Sequence, residues 1–447
     1  MTYSSPLMNH LSHAISHREP MYMDNTPLFQ LKKKILPLLQ MSTFPSIKDE
    51  FFRYSKIQET DFDNLDFNPP PIRDTASTLL SNQFSGYFKY QIIFVNGELS
   101  LEQTMLPKEL ELKKIIDEDE ALEVFASLDQ SNFFGLMNIL YTSNIYKLTI
   151  PKDFKSSEII STVHITTGDF KQHLATPCLF IKAKENSYTN FFSLYHYAGI
   201  GPHYYVTNSA LYLDLENGAV VDFSKLQMES KLCLHISTIQ ASLKENSILN
   251  TQLISLGGHH SRENQKIHLL GQNARVNLYG LYDLKDDMQT DHYVEVVHQH
   301  QQTYSHQIFK GILRDQSHGV FTGKVLITKD AKHSVSTQLN KNIILGDAAL
   351  MTSRPQLMID TDDVKCTHGA TTGQLDPEQL FYLNTRGIEK DQAKKMLYHA
   401  FAREIIEASP CGKIKQILNN FILNDQATIP WDLNYTNRCQ HGIFSFT

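Results

Sequence analysis

The chain has 447 residues, 41% of them hydrophobic and 20% charged, and a formal net charge of −7. That length has room for about three domains, and the composition is that of an ordinary soluble globular protein. The acidic balance lacks the basic footprint that nucleic acid demands, and no apolar run nears the ~20 residues of a bilayer span.

The first 25 residues carry neither the apolar core of a signal peptide nor the Arg-rich character of a transit peptide, so a cytoplasmic protein is expected. Five cysteines (Cys178, Cys233, Cys366, Cys411, Cys439) are few, odd in number and scattered. They form no disulfide framework and no paired metal-binding motif. Cysteine chemistry here would be that of one thiol.

Residues 1–145 read as a mostly helical N-terminal domain. Apolar residues recur at helical spacing over 28–41, with Pro37 as a break. Ser46 is placed as an N-cap with Asp49 at the capping-box position. Residues 64–75, holding Pro69, Pro70 and Pro71, make a loop; 90–99 is a strand and turn at Asn96-Gly97; 118–140 returns to helical spacing.

Residues 146–375 change texture. Short β-rich segments alternate with Asn, Gly, Asp and Ser breaks at 146–150, 158–166, 178–184, 190–197, 210–215 and 219–226. The stretch 231–256 alternates with a break at Lys244-Glu245-Asn246. Further segments fall at 266–270, 274–282, 293–297, 307–313, 319–328 and 341–350. This many strands without long helices between them predicts an all-β domain. Sandwich, barrel and solenoid all fit, and the solenoid is favoured because the breaks lack tight hairpin signatures.

Residues 376–447 are helical again, then irregular. Asp376-Pro377-Glu378 is a helix start and Arg386-Gly387 a stop. A second helix, 390–408, carries Ala393, Leu397, Ala400, Phe401 and Ile405 on one stripe. A third runs over 413–424, and the tail from Ile429 looks irregular.

The sharpest candidate for chemistry is Cys366 with His368. Two apart on a strand, they share a face, just before the chain turns from strand to helix. A thiolate and an imidazole suit iron or zinc, but two ligands do not close a site, so others must come from elsewhere, another chain included. The bland reading is a buried thiol packed as a small hydrophobe beside a hydrogen-bonded imidazole. The segment Gln356-Leu357-Met358-Ile359 before them reads as a buried strand.

A histidine-rich run, Asp291-His292, His298, His300 and His306, offers a weaker metal site; His298 and His300 would share a strand face. Surface or strand-edge histidines are the simpler account. Gly257-Gly258-His259-His260-Ser261-Arg262 reads as a polar turn. No phosphate-binding glycine motif and no nucleophile elbow is present. The acid pairs Asp286-Asp287 and Asp362-Asp363 would suit a glycoside hydrolase, although such loop pairs are usually just solvated.

The run Lys365-Cys366-Thr367-His368-Gly369-Ala370-Thr371-Thr372-Gly373-Gln374-Leu375-Asp376, followed by Leu380-Phe381-Tyr382-Leu383 and Arg386-Gly387-Ile388, resembles the signature of the SufB/SufD iron–sulfur cluster assembly family. Other blocks follow in family order: Pro45 to Tyr54; Ser255 to Arg262; Leu278 to Tyr282; His298 to Gly311; Gly319 to Lys324; Gln338 to Asn342. The likeness covers about residues 45–408. It is to the SufD branch, because Asn340 stands where the SufB branch carries its scaffold cysteine. Departures are Phe52 for a usual Trp, Met358 for a usual Glu, Lys332-His333 for Gln-Lys, and the tail after about 410.

The resemblance implies a mainly β fold, a right-handed parallel β-helix flanked by N- and C-terminal helical domains. It implies a non-catalytic scaffold that pairs with SufB through the β-helix ends and docks the ATPase SufC on its C-terminal helices. Carried over by residue, His368 and Cys366 belong to the interface where a nascent cluster is built, as transient iron or cluster ligands. Leu380, Phe381, Tyr382, Arg386, Gly387, Leu397 and Phe401 belong to the SufC-docking face. No cofactor is expected to stay on the isolated chain, for which a homodimer is left open. The alternative is a parallel β-helix carbohydrate-active enzyme, which would need a solvent-facing groove of carboxylates and aromatics.

Overall fold

The computed structural model describes residues 26–42, 44–57, 65, 88–167, 172–199 and 203–422. The expected proline loop, leader region and tail from Ile429 lie outside these residues.

The body is a parallel β-solenoid of about 8 turns with helices at both ends. From β7 onward consecutive strands enter opposite sheets, and each pairs with the strand two further along. One sheet has the order β2-β1-β5-β8-β10-β12-β14-β16-β18-β20, the other β19-β17-β15-β13-β11-β9-β7-β4-β3, where β8 is Tyr188–Tyr197, β9 Tyr205–Leu215 and β10 Val220–Met228, and the short β6 (Leu174–Ala175) pairs β9. From β7 (Cys178–Ala183) onward the pairing is parallel and in register: β12 (Ile248–Ser255), β14 (Arg275–Leu284), β16 (Tyr304–Leu313), β18 (Val335–Ile344) and β20 (Lys365–Gly373) in the first sheet, and β11 (Cys233–Leu243), β13 (His260–Leu269), β15 (Gln289–His298), β17 (His318–Ile327) and β19 (Leu350–Ile359) in the second. From β7 onward, stacked residues lie 26 to 32 apart in sequence.

The breaks in the sequence are the corners of this coil. Asn186, Asn246, Asn273, Asp286 and Asp315 turn the chain with φ between 51° and 60°, a left-handed conformation that Asn and Asp tolerate best. Neighbouring corners also bond: Asn273 Nδ2 donates to Asn246 Oδ1 at 3.0 Å.

The strand framework starts earlier than the texture suggested. β1 (Tyr90–Val95) and β2 (Glu98–Met105) form a hairpin at Asn96-Gly97, and β1 pairs in parallel with β5 (Lys155–Thr166). β3 (Glu111–Lys114) runs antiparallel to β4 (Tyr146–Ile150). The boundary near 145 therefore falls inside the sheets. Residues 46–57 form successive turns rather than a helix; Ser46 and Asp49 cap only local turns, at Lys48 N and Phe51 N.

Two shifts of strand register against the sequence reading have one cause, polar residues inside the coil. The expected turn at 257–262 ends at His259, and β13 begins at His260, with Ser261, Glu263 and Gln265 buried. The segment read as a strand at 341–350 straddles the end of β18 and the start of β19.

Helices cover the outward sheet faces. α1 (Pro27–Met41), which contains Pro37, α2 (Glu118–Ser127) and α3 (Phe133–Tyr141) lie at the N-terminal end, and every residue of α3 is buried. Asn138 on α3 donates to the carbonyls of Pro177 and Asn208. At the other end are α4 (Pro377–Thr385), α5 (Lys390–Glu407) and α6 (Gly412–Ile422). α5 lies across β14 and β16: Ala402, Ile405 and Ile406 join Leu281, Ile308 and Ile312 in one apolar cluster. Lys310 Nζ bonds Phe401 O at 2.8 Å and Glu404 Oε2 at 2.5 Å, and it sits 4.3 Å from the Phe401 ring. Ala400, expected on the buried stripe, is exposed. Among the described residues no helix is long and apolar enough to cross a membrane.

Close stacking makes some inward positions intolerant. A Cβ on Gly280 would lie 2.2 Å from the fully buried Phe309 ring, its in-register neighbour. Gly280→Ala should destabilise the fold by roughly 1–3 kcal/mol, lowering the urea midpoint. Gly373→Ala, with nothing within 4 Å of the new carbon, should leave the midpoint almost unmoved.

Candidate functional site

The strand carrying Cys366 and His368 is the last of its sheet. Among the described residues β20 pairs only with β18, and β19 only with β17, so neither outer edge has a neighbour there. Gln356 to Ile359, expected as a buried strand, lies on that open edge, where Met358 is 50% exposed. Pro355 fits an edge position, because it has no N–H to offer the ladder.

Alternation and register assign the faces. Ser336, Gln338, Asn340 and Asn342 of β18 are buried and stand opposite Cys366, His368, Ala370 and Thr372. Cys366 and His368 therefore point into the coil, one behind the other, about 7 Å apart along the strand. No further coil follows among the described residues, so these two inward positions lie at the open end of the solenoid. Cys366 is half-buried against Val325, Ile327 and Leu357, and His368 is exposed. Burial pushes the Cys366 thiol up, so it stays protonated near neutral pH. Met358, opposite Leu326, lies on the other face of its strand and does not join the pair.

Three surroundings shape this end. Asn340 is fully enclosed: its amide donates to Tyr282 Oη at 3.0 Å and Phe309 O at 3.2 Å, and its oxygen accepts from Asn342. The block from Pro45 to Tyr54 crosses the outer face of the second sheet. There Arg262 is buried under the Phe52 ring (3.8 Å), paired with Asp291, and bonded to Phe51 O. The same block reaches the terminal coil, where Glu50 accepts from Arg354 Nη2 at 2.5 Å and Gln356 Nε2 at 3.1 Å.

The residues expected to form a docking face separate into two groups. Phe381 and Tyr382 on α4 are 69% and 56% exposed. Leu380 and Leu397 are half-buried, and Arg386 and Gly387 are exposed at the α4 stop, where Gly387 takes φ 83°. Phe401 instead packs on the solenoid with Lys310, so it is committed within the chain.

The histidine run does not converge, and two of its members are not at the surface. His292 and His298 are fully buried inward residues of β15, while His300 falls in the following turn and so shares no strand face with His298. His298 bonds Thr303 and Ser305. His292 stacks on Tyr282 at 5.3 Å, with neither ring nitrogen partnered among the described residues. The acid pairs sit at corners: Asp286 meets Lys231 at 2.6 Å and Asp363 meets His333 at 2.9 Å.

A second buried constellation escaped the sequence reading. Lys225 Nζ lies 2.6 Å from Glu263 Oε1 and 2.8 Å from His235 Nε2, and His235 Nδ1 lies 2.6 Å from Glu229 Oε2. Burial pushes the Glu229 carboxyl up, but His235 and hydrogen bonds from Thr207 and Gln227 outweigh it and hold the group at about 2. The set places two buried carboxylates against one ammonium and one imidazole, so each buried acid has a close partner. Among the described residues no group of three or more His, Cys, Asp or Glu is arranged to hold a metal ion.

Residues 164–401 match the family model described as the SUF system FeS cluster assembly, SufBD core domain. The chain is 25% identical over 411 residues to the chloroplastic protein ABCI7 of Arabidopsis thaliana, covering 89% of this chain and 86% of that one. It is 30% identical over 221 residues to the iron–sulfur cluster assembly protein SufD of Escherichia coli, covering 49% and 52%. A SufBD family protein of Synechocystis is 26% identical over 295 residues, covering 64% and 65%.

Burial holds His292 and His298 neutral, each pushed down to about 4 from the ordinary 6.5. The unfolded chain binds these protons first, so stability is full above pH 6.5 and is lost as pH falls to 4. His292→Phe should flatten that slope, read as the urea midpoint at stepped pH.

Proposed function

The chain belongs to the SufB/SufD family of iron–sulfur cluster assembly proteins, and from that premise we propose that it is a non-catalytic scaffold subunit completed by a partner at its open coil. The observation that carries this reading is the terminal coil itself, with two strand edges unpaired among the described residues and Cys366 and His368 at inward positions of its last strand. Unpaired edges are templates for strand addition, and a second β-helix subunit of the SufB type would extend both sheets there. The partner then supplies the ligands that this chain lacks. The nascent cluster is cargo held by few protein ligands, so it can be handed on; thiolate is the usual donor and imidazole a known substitute.

In this reading His368 binds iron or positions it, and Cys366 is a neighbouring donor whose proton leaves when a metal arrives. The SufC-type ATPase docks on α4, where Phe381 and Tyr382 stand clear of the body, with Leu380, Arg386, Gly387 and Leu397 alongside. Phe401 holds α5 to the solenoid. The setting is the cytoplasm. The isolated chain, lacking its partner, can offer the same edges to a second copy.

His368→Ala should leave the fold and partner association intact and cut the iron and sulfide of the anaerobically purified complex by roughly tenfold or more. Unchanged cluster content would sink the assignment. Phe381→Ala with Tyr382→Ala should weaken ATPase binding about tenfold without changing the urea midpoint, measured by titration calorimetry.

A further inference from the structure

The inward column that ends at His368 begins as a run of amides. Gln307 on β16 and Gln338 on β18 stack in register, and His368 follows on β20. Both glutamines are fully buried, and Gln338 Nε2 donates to Gln307 Oε1 at 3.1 Å. The bond gives the ladder a direction. Its spare donor, Gln307 Nε2, lies at the inner end, and its spare acceptor, Gln338 Oε1, lies at the end next to His368. Neither atom has a partner among the described residues.

A buried carbonyl without a donor costs about 1–3 kcal/mol, and the next group in the column is an imidazole, which carries one. In-register neighbours are about 4.8 Å apart, within reach of a side-chain rotation. The facing wall is shaped for the amide: a Cβ on Gly323 would lie 2.2 Å from Gln338 Nε2.

We propose that Gln338 is a positioning residue for His368. Its Oε1 accepts the N–H of one ring nitrogen, fixing the neutral tautomer and turning the other nitrogen's lone pair toward the open end. An imidazole held this way is oriented and more basic toward a metal. The proposal rests on the reading of His368 given above and adds the group that prepares it.

The test uses the full-length chain with 15N-labelled histidine, His368→Ala serving to assign the His368 signals. Above the imidazole titration range, the wild type should show one tautomer at His368. Gln338→Met, which keeps length but removes the carbonyl, should show a mixture; Gln338→Glu, which keeps an acceptor, should restore one. Gly323→Ala, which displaces the amide, should behave like Gln338→Met. In the co-expressed complex Gln338→Met should lower cluster yield about tenfold, with thermal melting confirming an intact fold. An unmoved tautomer, or a moved tautomer with full yield, overturns the role of Gln338. Full yield in His368→Ala overturns the site assignment itself and this proposal with it; lost yield in His368→Ala with an unmoved Gln338→Met tautomer overturns the role of Gln338 alone.

Discussion

Parallel in-register stacking is the constraint on which everything else depends. Each inward side chain sits on its counterpart one coil earlier, so the interior is a set of columns rather than a mixed core. Apolar columns such as Val221–Leu249–Val276 make most of the body. A column can turn from apolar to polar, and an amide in it keeps a stacked partner only where the next residue is polar too. The column Leu278–Gln307–Gln338–His368 does turn, and it ends at the surface.

The two ends of the solenoid are finished differently. At the N-terminal end β2 and β3 run antiparallel and α3 seals an outward face with all nine of its residues buried. At the other end two parallel strands stop with free edges, and Met358, Ile359 and Leu350 are 50%, 42% and 55% exposed. An unprotected edge with apolar side chains is an aggregation hazard in a lone monomer. The partner proposed above would cover it.

Much of this was legible from residue order. The alternation, the Asn and Asp corners and the lack of hairpin signals pointed to a solenoid, and the Asp376-Pro377 cap and Gly387 stop fell where expected. The Cys-x-His spacing put both side chains on one face, which pairing with β18 bears out. What stayed hidden has one physical origin. A strand with charged residues on its inward face, such as β13 with Glu263, reads as a turn, because period-two reasoning assumes an apolar interior. Lys225, His235 and Glu263 come from three strands, and Gln338 lies 30 residues from His368. Neither group forms a motif until the coil length is known. Family likeness named His368 but not the amide behind it.

The attachment of α5 has a mechanical corollary. The helix is riveted across β14 and β16 by Lys310, Phe401 and a shared apolar cluster, while α4 touches the solenoid with no buried residue. A load pulling on these helices therefore enters the cylinder through its flank, below its rim. The natural response of a stacked cylinder to a sideways load is to tilt as a rigid rod, which would pry a face-to-face joint open on one side like a hinged lid instead of stripping off the last strand.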